Sequence, residues 1–174
     1  MNIALVAHDG RKQELLDWVK YNFKTLEKHN LFATGTTGKL ISEIEVVDEY
    51  SEYGHSISKI YKPFEKTTCL LSGPLGGDAQ IGAMIAEGKI DALIFFCDNL
   101  IMQGHQNDIQ GLSRLASLYN IAFATNRTTA DMIMTSPLFG NPEYKRVIPA
   151  SIDNYANRQL NTANVKDSKK VEQA

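Results

Sequence analysis

The stretch Ser72-Gly73-Pro74-Leu75-Gly76-Gly77-Asp78-Ala79-Gln80-Ile81-Gly82 constrains this chain more than any other. It follows a short apolar run, Thr67 to Leu71, that reads as a buried strand. It leads into Ile81 to Gly88, which reads as a helix stopped by a glycine. Four glycines and a proline are more than a plain strand-to-helix connection needs. Glycine lets backbone approach a ligand closely, and a helix start presents unpaired N–H groups that favour an anion. Asp78 stands at that start with two readings open. Asp is a favoured helix N-cap, and a carboxylate at a ligand site can also be a base.

The same alternation of short apolar runs and helical periodicity extends over most of the chain. Strands are expected at Asn2 to Ala7, Leu31 to Ala33, Thr67 to Leu71, Asp91 to Cys97 and Ile121 to Ala124. Between them, Leu15, Leu16, Val19, Phe23 and Leu26 share one helical face, and Leu40, Ile41 and Ile44 imply a second helix. Ile109, Leu112, Ala116 and Tyr119 are in register on another, and a last helix over Ala130 to Thr135 stops before Ser136-Pro137. Near-continuous apolar strands alternating with amphipathic helices predict an α/β fold, a five-stranded parallel sheet covered on both faces. Two segments stand outside the pattern. Glu45 to Lys66 is long and of mixed charge where a tight helix-to-strand connection would do, and such loops are functional or flexible. The polar tail has no apolar periodicity. The expected organisation is one domain over residues 1–160, interrupted by 45–66, with a mobile tail over 161–174.

Composition matters for what it excludes. A net charge of −2 over 174 residues offers no footprint for nucleic acid or an anionic membrane. The longest apolar runs, such as Ala92 to Cys97, are too short to span a bilayer, and no leader pattern surrounds the first strand. A cytoplasmic protein is expected. Cys69 and Cys97 lie in apolar runs without C-x-x-C spacing and read as reduced core thiols.

Open parallel sheets bind ligands at the carboxyl ends of their strands. Each expected strand ends there in polar or glycine-rich residues: His8-Asp9 with Lys12, Thr34-Gly35-Thr36-Thr37-Gly38, Ser72-Gly73 to Asp78, Asp98 with His105 and Asp108, and Thr125-Asn126. The hydroxyls and N–H groups of the threonine turn suit a phosphate dianion, to which Lys12 would add a point charge. Thr36 is alternatively a helix cap and Lys12 a solvated first-turn residue. Neither G-x-G-x-x-G after the first strand nor G-x-x-x-x-G-K-[ST] is present, so a dinucleotide or P-loop site is not expected. His8 reads as structural or as a site residue, and Asp108, three residues after His105, could fix that histidine's tautomer. Asp9, Asp78, Asp98 and Asp108 leave a metal site as the second reading, since their spacing matches no metal pattern and close carboxylates can instead raise one another's pKa.

With these residues the chain resembles the methylglyoxal synthases. The resemblance is carried by Ile3 to Asp9 with Lys12, Phe32 to Gly38, Leu71 to Gln80, Glu87 to Asp91, Ile94 to Phe96, His105, Asp108, Arg114 to Ala116, Ile121 to Asp131 and the Ile148-Pro149 region. It covers about residues 2 to 160. It implies a three-layer α/β/α domain and a lyase that converts dihydroxyacetone phosphate to methylglyoxal and inorganic phosphate through an enediolate, with no cofactor or metal. It implies a homohexamer in which Arg158 reaches a neighbouring subunit's site, and inorganic phosphate as product and possible allosteric inhibitor. By position, Lys12, Thr34, Gly35, Thr36, Thr37, Ser72 and Gly73 bind phosphate and Asp78 is the base. His8 and His105 belong to the substrate site, with Asp9, Asp98 and Asp108 beside it. His105 is the expected donor to the ketone oxygen. Two features depart from the family: the segment 45–66 replaces a short connection, and Gly104 precedes His105 where proline is expected. A non-catalytic phosphometabolite-binding regulatory domain of the same fold is the alternative, and a sugar-phosphate isomerase sharing the enediolate is a third. A regulatory domain has no need of Asp78, His105 and Asp108 together.

Overall fold

A computed structural model of the chain describes residues 1–53, 55–101 and 106–158. The strands are β1 (Asn2–Ala7), β2 (Asn30–Thr34), β3 (Val46–Glu52), β4 (His55–Tyr61), β5 (Thr68–Leu70), β6 (Ala92–Phe96) and β7 (Ala122–Ala124). The helices are α1 (Lys12–Tyr21), α2 (Phe23–Leu26), α3 (Gly35–Ser42), α4 (Gly77–Ala86), α5 (Gln106–Leu118), α6 (Arg127–Thr135) and α7 (Ala150–Ala156).

Five strands form one parallel sheet in the order β5-β2-β1-β6-β7, all five at the expected places. Strand side chains alternate between faces, so the sheet splits the core in two. Ile3, Leu5, Ala7, Ala33, Ala92, Ile94 and Phe96 pack against Leu15, Trp18 and Val19 of α1, Leu26 of α2, Ile41 of α3 and Met134 of α6. Ala4, Val6, Leu93 and Phe95 face the other way, against Ile81 and Ile85 of α4 and Ile109, Leu112 and Ala116 of α5. The result is the three-layer α/β/α arrangement. Trp18, Phe95 and Phe96 are among the largest fully buried side chains, and each such burial stabilises by roughly 1.5–3 kcal/mol. The chain winds outward from β1 through β2 to β5, then returns to β6 on the other side. The strand order therefore reverses between β1 and β6, and a crevice opens there at the carboxyl ends.

Several local expectations need correction. The first helix breaks at Asn22, whose side-chain amide donates to Trp18 O at 3.0 Å, so Phe23 and Leu26 belong to a separate short helix. Trp18, the largest buried side chain on α1, shares the apolar face of Leu15 and Val19, where the expected set omitted it, and its indole N–H donates to Asp131 at 2.7 Å and ties α1 to α6. Cys69 is exposed, because three-residue β5 is an edge strand; Cys97 is buried as expected, and both are free. Helix α7, absent from the sequence reading, buries none of its residues. The expected tail over 161–174 lies outside the described residues.

The segment from 45 to 66 contains an antiparallel hairpin, β3 with β4. Its base is held to the domain by Lys24–Asp48 at 2.7 Å, Tyr61–Glu27 at 2.6 Å and Lys62–Glu43 at 2.6 Å, and by buried Val46 and Phe64. Bonding to Asp48 raises the pKa of Lys24, bonding to Glu43 raises that of Lys62, and bonding to Glu27 pushes the Tyr61 phenol up to about 12. Val47 and Ile60 face one another across the hairpin and are exposed. Among the described residues, no helix is long and apolar enough to cross a membrane.

Candidate active site

A cavity of about 810 Å3 opens at the carboxyl ends of β1, β2 and β6 and the β5–α4 turn. It is lined by His8, Asp9, Lys12, Thr34, Thr36, Thr37, Ser72, Gly73, Asp78 and Asp108, all from the sequence reading, with Val6, Ala7, Pro74 and Phe95 besides. Sequence reasoning passed over those four. Three lie at strand ends where they read as core, and Pro74 read as a turn residue.

The anion cradle is built from two turns pressed together. Thr34 ends β2 with extended backbone (φ −74°, ψ 136°) and is the N-cap of α3. The expected threonine turn is thus the first helical turn itself, and Thr36 is not the cap. No side chain caps this helix, so the N–H groups of Thr36 and Thr37, which follow Gly35 in its first turn, face an anion site. Gly35 has φ +27°, and a Cβ there would lie 2.7 Å from Ser72 Cα. Its N–H donates to Leu71 O at 3.1 Å. From the other side a Cβ on Gly77 would lie 2.0 Å from Leu71 O, and Gly77 N–H donates to Ser72 O at 3.0 Å. Gln80 Oε1 accepts from Leu71 N–H at 2.9 Å. Ser72 and Gly73 are held against α3 only because Gly35 and Gly77 carry no side chain. Lys12, in the first turn of α1, brings the cation, and its Nζ lies 2.6 Å from Asp9 Oδ1.

Asp78 is not the helix cap. Gly76 is the N-cap of α4, no side chain caps that helix, and Asp78 is its second residue. It is 3% exposed and lines the cavity. The structure therefore removes the capping reading and leaves a buried carboxylate beside the cradle. Asp108 lies in the first turn of α5 and lines the same cavity. His8 is 6% exposed. Its backbone N–H donates to Phe96 O at 3.2 Å, its ring stands edge-on to Phe95 with centroids 5.0 Å apart, and its Nδ1 is 2.7 Å from Asp98 N.

Three further expectations fare differently. Asp98 does not line the cavity; its Oδ1 accepts from Leu100 N–H at 3.2 Å. Arg158 does not line it either, and its guanidinium stacks on Tyr155, 3.7 Å from the ring centroid. His105 lies outside the described residues. Asn126, at the end of β7, is the cap of α6 and accepts from Thr129 N–H at 3.0 Å. Burial pushes the Cys97 thiol up to about 11, which keeps it protonated and unsuited to nucleophilic work. Among the described residues, no group of three or more His, Cys, Asp and Glu side chains could hold a metal ion. What the cavity assembles is a cation, an anion cradle and a buried carboxylate, the parts needed to hold a phosphate ester and abstract a proton near it.

Residues 14–125 match the family described as MGS-like domain. The methylglyoxal synthase of Maridesulfovibrio salexigens is 47% identical over 161 residues, covering 91% of this chain and 97% of that one. The methylglyoxal synthase of Proteus mirabilis is 50% identical over 148 residues, 85% of each chain. Among solved structures, the methylglyoxal synthase from Elizabethkingia anophelis superposes with a TM-score of 0.74 at 40% identity, covering 93% of both chains.

Proposed function

This chain belongs to the methylglyoxal synthase family, and on that premise we propose that its cavity converts dihydroxyacetone phosphate to methylglyoxal and inorganic phosphate. The reaction is a cofactor-independent carbon–oxygen lyase reaction through an enediolate phosphate. One observation carries the reading: Asp78, at 3% exposure, shares a cavity with Lys12, the threonines of α3 and the Ser72 turn. A carboxylate buried beside an anion cradle is unneeded for phosphate binding and needed for proton abstraction.

In this mechanism Lys12, Thr34, Gly35, Thr36, Thr37, Ser72 and Gly73 hold the phosphate, and Asp78 removes the proton from the carbon beside the ketone. His105 donates to the ketone oxygen as negative charge develops, with Asp9 and Asp108 beside the substrate. Elimination requires the C–O bond to phosphate to lie out of the enediolate plane, where it overlaps the π system. An in-plane phosphate would favour isomerisation instead. The cradle sets that angle. We further propose one domain over residues 1–160, a cytoplasmic homohexamer in which Arg158 reaches a neighbour's site, and inorganic phosphate as product and allosteric inhibitor.

Incubating the protein with dihydroxyacetone phosphate and measuring methylglyoxal, free phosphate and glyceraldehyde phosphate separates the alternatives. Methylglyoxal with equimolar phosphate supports the lyase. Glyceraldehyde phosphate without phosphate release would mean an isomerase, and binding without turnover a regulatory domain.

A further inference from the structure

We propose that Asp98 is a positioning residue: its backbone N–H holds the His8 imidazole in the tautomer with the proton on Nε2, and its carboxylate shapes the turn that presents this N–H. The inference rests on the proposed reaction only for its consequence; the tautomer follows from geometry.

A backbone amide is a donor and nothing else. Asp98 N lies 2.7 Å from His8 Nδ1, so Nδ1 supplies the lone pair and cannot carry a proton there. The ring proton of the neutral imidazole is then on Nε2. Protonating Nδ1 would set two N–H groups head to head and break the contact. The ring has little freedom to escape, since it stands edge-on to Phe95 at 82° and its own backbone is bonded to Phe96 O.

The Asp98 carboxylate does not line the cavity. Its Oδ1 accepts from Leu100 N–H two residues on, an Asx turn that orients the backbone after β6. Its Oδ2 lies over Gly10, where a Cβ would be 3.0 Å away. Arg11 Nε donates to Cys97 O at 3.3 Å and clamps the same junction. The carboxylate thus acts on the peptide that faces His8. For the reaction, this makes His8 a ring of fixed direction, protonated at Nε2 and unable to take a proton at Nδ1. Among the described residues, the other charged groups lining the cavity with His8 are Asp9, Lys12, Asp78 and Asp108.

The experiment is a long-range proton–nitrogen NMR correlation on 15N-labelled protein without substrate, the His8 signals being identified among four histidines by His8→Gln. The wild type should show Nδ1 as the unprotonated nitrogen and Nε2 as the protonated one. Asp98→Asn, whose amide oxygen can still accept from Leu100 N–H, should keep that pattern and most of kcat. Asp98→Ala should mix the tautomers and lower kcat on the order of 10–10²-fold with KM moved far less. A proton on Nδ1 in the wild type overturns the proposal, whatever the variants do. So does an Asp98→Asn enzyme that loses kcat with its tautomer intact, since the carboxylate would then act in the chemistry itself. If Asp98→Ala does not fold, Asp98→Ser replaces it, with a weaker turn and an intermediate spectrum expected; a wild-type spectrum and rate in Asp98→Ser would overturn the turn-shaping role. A wild type inactive on dihydroxyacetone phosphate would overturn the proposed reaction, while the spectrum still decides the tautomer.

Discussion

Replacing Gly35 by alanine tests whether the anion cradle exists because two turns touch. The new Cβ would sit 2.7 Å from Ser72 Cα, 2.8 Å from Ser72 Cβ and 2.9 Å from Ser72 N, where ordinary contact begins at 3.4 Å. Two of these atoms are backbone, so no rotamer change relieves the clash, and the turns must separate by about 0.7 Å. The φ of +27° adds the cost of an L side chain in the left-handed region, roughly 1–2 kcal/mol. Overpacking adds roughly 1–3 kcal/mol. The expected loss is therefore about 2–5 kcal/mol, which lowers Tm by roughly 4–20 °C in a chain of this size. A cradle opened by most of an ångström should also misplace the phosphate and cost on the order of 10²-fold in kcat/KM. Gly111→Ala is the control. Nothing lies within 4 Å of its Cβ position, and it sits within α5, so alanine should stabilise by about 0.5–1 kcal/mol and leave phosphate binding alone. Thermal unfolding, calorimetric titration with inorganic phosphate and methylglyoxal production give the three readouts. A Gly35→Ala protein with wild-type Tm and wild-type phosphate affinity would refute the idea that this contact holds the site together.

Asp78→Asn should change stability by no more than about 1 kcal/mol, since Gly76 and not Asp78 is the N-cap of α4 and asparagine keeps the shape of the side chain. Turnover should fall roughly 10²–10⁴-fold, and a folded variant with near wild-type methylglyoxal production would remove Asp78 from the mechanism. Replacing residues 47–60 by a short Gly/Ser connection should leave a folded core and measurable turnover, because none of the described hairpin residues lines the cavity; an intact core without activity would mean that the arm serves assembly or catalysis. Tyr61 should ionise near pH 12, later than an ordinary tyrosine, because its phenol is bonded to Glu27. A raised pKa means that this tether is fully present below about pH 10 and is lost as pH rises through about 12. Spectrophotometric titration should show a tyrosine step near pH 12, and Glu27→Gln should abolish it.

The five sheet strands were legible because each is a short apolar run between polar turns, a signal within a few residues. The hairpin was not. Its alternation is broken by charges such as Asp48 and Lys59, and it pairs with itself, away from the core that gives strands their apolar pattern. The polar residues at the strand ends were legible as a group, since a parallel sheet must bring its carboxyl ends together. Their individual duties were not. Asp78 looked like a cap, yet Gly76 holds that place; Asp98 looked like its equal, yet its carboxylate turns back on its own chain.

What the sequence alone determined was local: the period of each element, the stops between them, and the motifs that resemble a family. What only the tertiary structure decided was contact across distance. His8 meets the amide of Asp98 ninety residues away, and Gly35 meets Ser72 across two turns of different strands. Periodicity reports which face of an element is apolar, and that depends on neighbours a few residues apart. Which lone pair meets which N–H at 2.7 Å depends on how five strands close into one sheet, and no window of sequence contains that distance.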